Sequence, residues 1–406
     1  MRRALLLLLL AGLIAPASSA AAGPFVKVTP ERIDFGTRPV GTTDRATVTI
    51  TNVTSGPVFV GGLSVTGDRG GFVFAFGTQN CPTFLDPGAS CSYGIDFNAF
   101  RRGYLVGRSS VSVASGNVGQ TVTIPLLGRG VRETPIAHPK TRQVDDDRAE
   151  CPHAGYTRIQ AAVHAAAPGD RIVVCPGTYA EQVRIVSTPQ IALEAKVPGT
   201  ATIRFPQPPK WRPAAVLQID NSDEVDVRGF TFSGPLAATG ACADPSGILV
   251  DGAAGTVIEG NRFTHLGEGC GGDGVGVWIA RSGTADVIGN TFDRYGAAGV
   301  WADGQSTGAL IQSNTITGPG LAGSIGIEMG DLATGRVEGN RVSGNARGIV
   351  ATAKAAWITF ATNDARGNAE LDCADASHGK GTAGTANVWK RDNRGEHNSP
   401  AAICKP

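Results

Sequence analysis

Five residues in the second half of the chain have the types and spacing to act on a sugar: Asp251, Trp278, Trp301, Asp303 and Glu328. They fall in runs of one kind, "SGILVDG", "GVGVWIA", "AGVWADG" and "IGIEMGD", followed by "RGIVATA". Successive side chains of a strand point to opposite faces. With Ile248, Val277, Val300, Ile327 and Ile349 inward, Leu249, Trp278, Trp301, Glu328 and Val350 point outward. Asp251 and Asp303 continue that outer face two positions on. Rings beside carboxylates suit saccharides, whose C–H faces pack on the aromatic while hydroxyls donate to the acids. Carbohydrate binding is therefore expected of these five. Asp303 and Glu328 also lie diagonally on neighbouring strands, near the separation of about 6.5–9.5 Å used by inverting glycosidases.

Other chemistry has less to work with. A general acid needs a carboxyl raised by burial, which an outer sheet face is not expected to supply, so no catalytic residue is assigned beyond that pair. A calcium-dependent lyase needs six to eight oxygens, and this column offers too few. His265, in "RFTHLGEGC", reads as an isolated loop residue. The six His are scattered, no Cys-x-x-Cys occurs, and Met329 is the only Met after Met1. No metal site and no cofactor is expected. With 36 basic and 35 acidic residues, the charge gives no footprint for nucleic acid.

What must position the column is a repeat. "VRGFTFSG", "IEGNRFTHLG", "VIGNTFDRYG", "IQSNTITGPG", "VEGNRVSGNA" and "FATNDARGN" align on Phe230, Asn261, Asn290, Asn314, Asn340 and Asn363, at intervals of 31, 29, 24, 26 and 23 residues. That is the period of a parallel β-helix coil with variable loops. Asn tolerates the left-handed bend, and its amide can bond the Asn one coil above, so the five Asn form an internal ladder. Upstream, "TRIQAAVHAAAPGDRIVV" is the one helical pattern of this half. Thr157 and Gln160 have capping-box spacing, and Ile159, Val163 and Ala166 share a face. An amphipathic helix there covers the apolar interior that the first coil would otherwise expose.

Residues 24–131 show short alternating runs such as "RATVTITN", "SCSYGIDFNA" and "TVTIPLLGRG", the pattern of an antiparallel β-sandwich. A polar stretch, 132–150, reads as linker. "PERIDFGTRPVGTTDRATVTITNVTSGPV" and "LDPGASCSYGIDFNAFRRGYLVGRSSVSV" resemble the immunoglobulin-like choice-of-anchor or ASH-type domains of bacterial surface proteins. That resemblance implies a spacer or protein-binding module. "IQAAVHAAAPGDRIVVCPGTYAEQVRI" and "ELDCADASHGKGTAGTANVWKRDNRGEHNSPAAIC" are similar to the opening and closing segments of the right-handed parallel β-helix, pectin lyase-like family. This implies an all-β chain: an immunoglobulin-like sandwich, then a right-handed β-helix over 151–406 capped by one short α-helix. The fold hosts lyases, hydrolases, epimerases and non-catalytic adhesins, so it does not choose among functions. Resemblance to periplasmic copper-site maturation proteins of this fold finds no Met or clustered His to support it.

The first 22 residues, "MRRALLLLLLAGLIAPASSAAA", read as a secretory signal, too short in its apolar run to span a bilayer. Eight Cys in an exported chain are most simply four disulfides, and spacing favours Cys81 with Cys91, Cys151 with Cys175, Cys242 with Cys270 and Cys373 with Cys404. The expected protein is an exported monomer at or beyond the cell surface, without membrane insertion. Its partner is a polysaccharide, with a second protein partner available through the sandwich. The alternatives are a polysaccharide lyase, hydrolase or epimerase, and a purely structural envelope or adhesion solenoid.

Overall fold

The alternating N-terminal runs pair into two sheets, and the Asn-marked repeats pair coil upon coil. The computed structural model describes residues 24–67, 70–132, 140–206, 215–234, 245–266, 273–304 and 307–406. The signal segment and Cys242–Cys270 lie outside them. A four-stranded antiparallel sheet packs on a five-stranded one, around Val48, Ile50, Tyr93, Ile95, Phe97, Leu105 and Ile124. Only Ile33–Pro39 pairs in parallel, with Val118–Val131.

The rest is a parallel β-helix of ten-, seven- and nine-stranded sheets, to which each coil contributes one strand in turn. It begins earlier than expected: Thr141–Val144, inside the stretch read as linker, is the first strand of the ten-stranded sheet and pairs with Arg171–Val174. Its core is a stack. Phe232, Phe263 and Phe292 lie face to face on successive coils, centroids 5.2 and 4.6 Å apart. Gly247 and Gly276 leave room for them, since a Cβ there would meet the Phe263 and Phe292 rings at 2.6 and 2.5 Å. An Asn ladder runs along one bend, but the left-handed conformation expected of Asn belongs to the residue before each: Gly260, Gly289, Ser313, Gly339 and Thr362. Each Nδ2 donates to the next Oδ1, from Asn261 through Asn290, Asn314, Asn340 and Asn363, at 2.8–3.2 Å, and the ladder continues to Asn393. A second rung, Asn345 to Asn368 at 3.1 Å, sits at another bend.

The helix is Ile159–His164, with Ile159, Ala162 and Val163 buried. Its cap differs from the capping box expected. Arg158 is the N-cap and gives no side-chain bond, so Thr157 stands one residue too early. Instead the Glu181 carboxylate, on the following segment, accepts the Ile159 and Gln160 N–H groups at 2.7 and 3.2 Å. Gln160 is thereby free to mimic a strand. Its amide accepts from Arg184 N at 2.6 Å and donates to Arg184 O at 3.1 Å, closing the open edge of the nine-stranded sheet. Glu181→Ala removes two charge-assisted bonds and is expected to cost about 1–2 kcal/mol, the upper range for a lost cap. A Glu181→Ala variant as stable as the parent in urea unfolding would disprove this role. The Cys151–Cys175 disulfide closes the same end, Cys373–Cys404 the other, and Cys81–Cys91 staples the sandwich.

The sandwich docks on the ten-stranded sheet. Tyr104 and Leu127 pack on Leu310, flanked by ion pairs from Arg102 to Asp226, Arg129 to Asp286 and Arg132 to Glu224. Backbones come close as well: a Cβ on Gly255 would meet Arg102 O at 2.4 Å, which is why glycine stands there. The nine-stranded sheet, with the tryptophan column, is therefore not the face the sandwich covers.

Candidate functional site

Parallel pairing places Leu249, Trp278, Trp301, Glu328 and Val350 in one register column of the nine-stranded sheet, as the alternation implied. Their environments differ from the expected open strip. Leu249 is buried, and Trp278 packs on it with Ala215 and Ala280. The two indoles stack with centroids 5.1 Å apart and planes within 7°, so each covers one face of the other. Trp278 has its second face in the apolar cluster. A sugar therefore cannot lie flat across both rings. What the pair offers is its edge and the Trp301 face turned toward Glu328. Among the described residues neither indole N–H has a hydrogen-bond partner.

Asp251 is not available to a ligand. It is buried, and the Arg281 guanidinium grips it bidentately, Nε to Oδ1 at 2.5 Å and Nη2 to Oδ2. Asp303 leans over the next coil, where a Cβ on Gly330 would come within 2.6 Å of its Oδ1. Among the described residues its carboxylate and that of Glu328 take no hydrogen bond and no ion pair. Glu328 is half-buried. Burial raises its pKa, the Arg347 charge opposes that rise, and the charges of Asp303 and Asp331 add to it. The outer face thus supplies the desolvation that its position in a strand did not promise. Asp331 itself is held low by Lys354 at 2.7 Å and Thr352 at 2.9 Å.

The alternation argument missed Arg347, Asp331 and Lys354 because it followed only two outward positions of each strand. Reading the residue that opens each strand would have found Arg347, which begins Arg347–Ala351.

His265 is not isolated. At φ 58°, its Nε2 lies 2.7 Å from Arg294 Nη1 and its Nδ1 3.0 Å from Thr264 Oγ1. Arg294 can only donate, so Nε2 accepts and Nδ1 carries the proton. Thr264 passes its own hydroxyl hydrogen to Asp293, which Arg262 also holds at 2.8 Å. Each of these groups is engaged by a neighbour.

Residues 215–394 match the family model described as "Right handed beta helix region". The solenoid is of that right-handed kind. No curated protein matches the chain. Among solved structures, the VesB protease of Vibrio cholerae is 16% identical over 26% of this chain and 32% of its own, TM-score 0.24. The chain thus spans about a third of that protease. The mannuronan C-5 epimerase AlgE4 A-module of Azotobacter vinelandii is 14% identical over 59% of this chain and 80% of its own, TM-score 0.32. The ASH/PapD-like domain of human CEP192 is 15% identical over 31% of this chain and 99% of its own, TM-score 0.22.

Proposed function

We propose that the chain is an exported carbohydrate-binding β-helix protein, with its saccharide lying across the nine-stranded sheet at the step from Trp301 to Glu328. One contrast supports this reading. Glu224, Asp226, Asp251 and Asp286 each carry an arginine, whereas among the described residues the Asp303 and Glu328 carboxylates take no ion pair and no hydrogen bond. Two such carboxylates are acceptors for sugar hydroxyls, and the edge of the tryptophan pair supplies apolar surface next to them. The disulfides fit an oxidising compartment, and no helix among the described residues is long and apolar enough to cross a membrane.

The test is binding to a glycan panel, followed by titration of each hit with variants. Hydrogen bonds to a charged group are worth about 1.5–3 kcal/mol, so Glu328→Gln is expected to weaken the best ligand roughly tenfold or more. Its effect on stability runs the other way. A carboxyl whose folded pKa is raised binds its proton more tightly when folded. The charged form therefore costs stability above the folded pKa, and the cost vanishes below the unfolded one. Glu328→Gln should be at least as thermostable as the parent at neutral pH, with the advantage shrinking in acid. A panel without ligands, or an unchanged dissociation constant, would sink the proposal.

A glycan-processing reading has one observation in its favour, the raised Glu328 carboxyl, since that is the condition a general acid needs. It separates cleanly from binding alone: Glu328→Gln would then abolish product release from a bound polysaccharide while the affinity persists.

A further inference from the structure

Beyond the saccharide face, the mouth of the solenoid carries three consecutive acids, Asp145, Asp146 and Asp147, directly after its first strand. One carboxylate oxygen from each lies within 4.8 Å of the other two. Two ligands of one Ca2+ ion at about 2.3–2.6 Å stand at most about 4.6–5.2 Å apart, so these oxygens are close enough together to share an ion. None of the three has an ion pair among the described residues. Asp145 is fully buried. Its Oδ2 accepts Cys151 N at 2.5 Å, but its Oδ1, equally buried, has no hydrogen-bond partner among the described residues. A buried carboxylate oxygen without a donor costs free energy comparable to a lost charged hydrogen bond. Beside two more carboxylates the natural compensation is a cation. The neighbouring acids are held for the purpose: Asp146 Oδ2 accepts Thr178 N at 3.1 Å, and Asp147 Oδ1 accepts Ala149 N at 2.8 Å. Asp146 reaches in over Gly177, where a Cβ would come within 2.2 Å of its Oδ1.

We infer that Asp145, Asp146 and Asp147 bind a divalent cation. The all-oxygen donor set selects Ca2+ over zinc or copper, with water completing the coordination shell. The two nearby sulfurs, Cys151 and Cys175, are joined to each other and do not compete as thiolate ligands. With two of the acids exposed, the site belongs with the weaker class of Ca2+ sites, dissociation constants on the order of 10⁻⁴–10⁻³ M. Its effect is to pin the first strand to the Cys151–Cys175 bridge and the capping helix.

The experiment uses the full chain, freed of Ca2+ by chelation, with Ca2+ itself as probe in calorimetry and thermal unfolding. One saturable site and a Ca2+-dependent rise in Tm are expected. Asp146→Asn with Asp147→Asn keeps both backbone acceptors, so it should fold. It should lose at least tenfold in affinity, melt no lower than the metal-free parent, and no longer respond to Ca2+. Glu370→Gln, an exposed acid elsewhere, should behave as the parent. No saturable binding up to about ten times the upper constant of that class, or equal binding by the double variant, would overturn the assignment.

Discussion

Asn314→Ala should be among the most damaging single substitutions in the solenoid, on the order of 4 kcal/mol. The side chain is buried and makes four bonds. Its Oδ1 accepts Asn290 N and Nδ2 at 2.9 and 3.1 Å, and its Nδ2 donates to Val287 O and Asn340 Oδ1 at 2.8 and 2.9 Å. Alanine removes all four, each worth about 0.5–1.5 kcal/mol net. Asn340 Oδ1 keeps the Asn314 N–H and Asn290 Nδ2 keeps Ile258 O and Ile288 O, while the buried Asn290 N–H loses its side-chain acceptor. For a unit of this size the loss corresponds to roughly 8–15 °C in Tm. Asn314→Asp separates the causes. It keeps the acceptors and loses the donor, so a carboxylate faces two oxygens and its pKa must rise. A folded pKa raised in this way makes the variant more stable as pH falls, because the protonated acid can donate once more. Asn314→Ala lacks that pH dependence. A loss below about 1 kcal/mol would mean that the ladder is solvated and does not hold the coils together.

The left-handed bend was misplaced by one residue, since Gly260, Gly289, Ser313, Gly339 and Thr362 take it and the Asn supplies only the amide. The ladder itself was legible in the sequence because it repeats at one phase. The same applies to the column of Leu249, Trp278, Trp301 and Glu328, since register follows from alternation. What alternation cannot give is ring tilt or depth. It placed two indoles one above the other, yet not the fact that they face each other and hide the surfaces a sugar would use. It placed Glu328 outward without its burial, which arises from neighbours on other strands. Asp251 looked like Asp303 in the sequence. Arg281, in the turn after the next strand, makes the difference. The three acids at 145–147 lay inside a segment read as linker, so no geometry was sought there. Thr157 satisfied a spacing rule that Glu181 fulfils in space.

Least legible was the interface between the domains, because its partners are far apart in the chain and each reads alone as a solvent-facing residue. It yields the second large effect. Asp286 is almost wholly buried, and among the described residues Arg129, reaching across from the sandwich, is its ion-pair partner. Arg129→Ala leaves that charge uncompensated, at about 3–5 kcal/mol, and should split thermal unfolding into separate transitions for sandwich and solenoid. Yet the pair is poorly satisfied: among the described residues Arg129 Nε and Asp286 Oδ1 have no hydrogen-bond partner. Tyr104, Leu127 and Leu310 pack at the same interface. Replacing both members, Arg129→Met with Asp286→Leu, should therefore restore docking or exceed the parent, as apolar replacements of buried pairs often do. The acid limb tests the neighbouring pair. Burial would raise Glu224, but the Arg102 N–H, Gln190 and the Arg132 charge outweigh it and hold the carboxyl below its usual range. A depressed folded pKa contributes stability above the unfolded value and loses it as pH falls through the folded one. Docking should thus weaken in acid in the parent and in the Met–Leu variant alike, and less steeply once Arg132→Ala has removed the charge. A double variant that stays undocked at neutral pH would show that the ion pair itself, rather than the apolar contact around it, holds the sandwich on the solenoid.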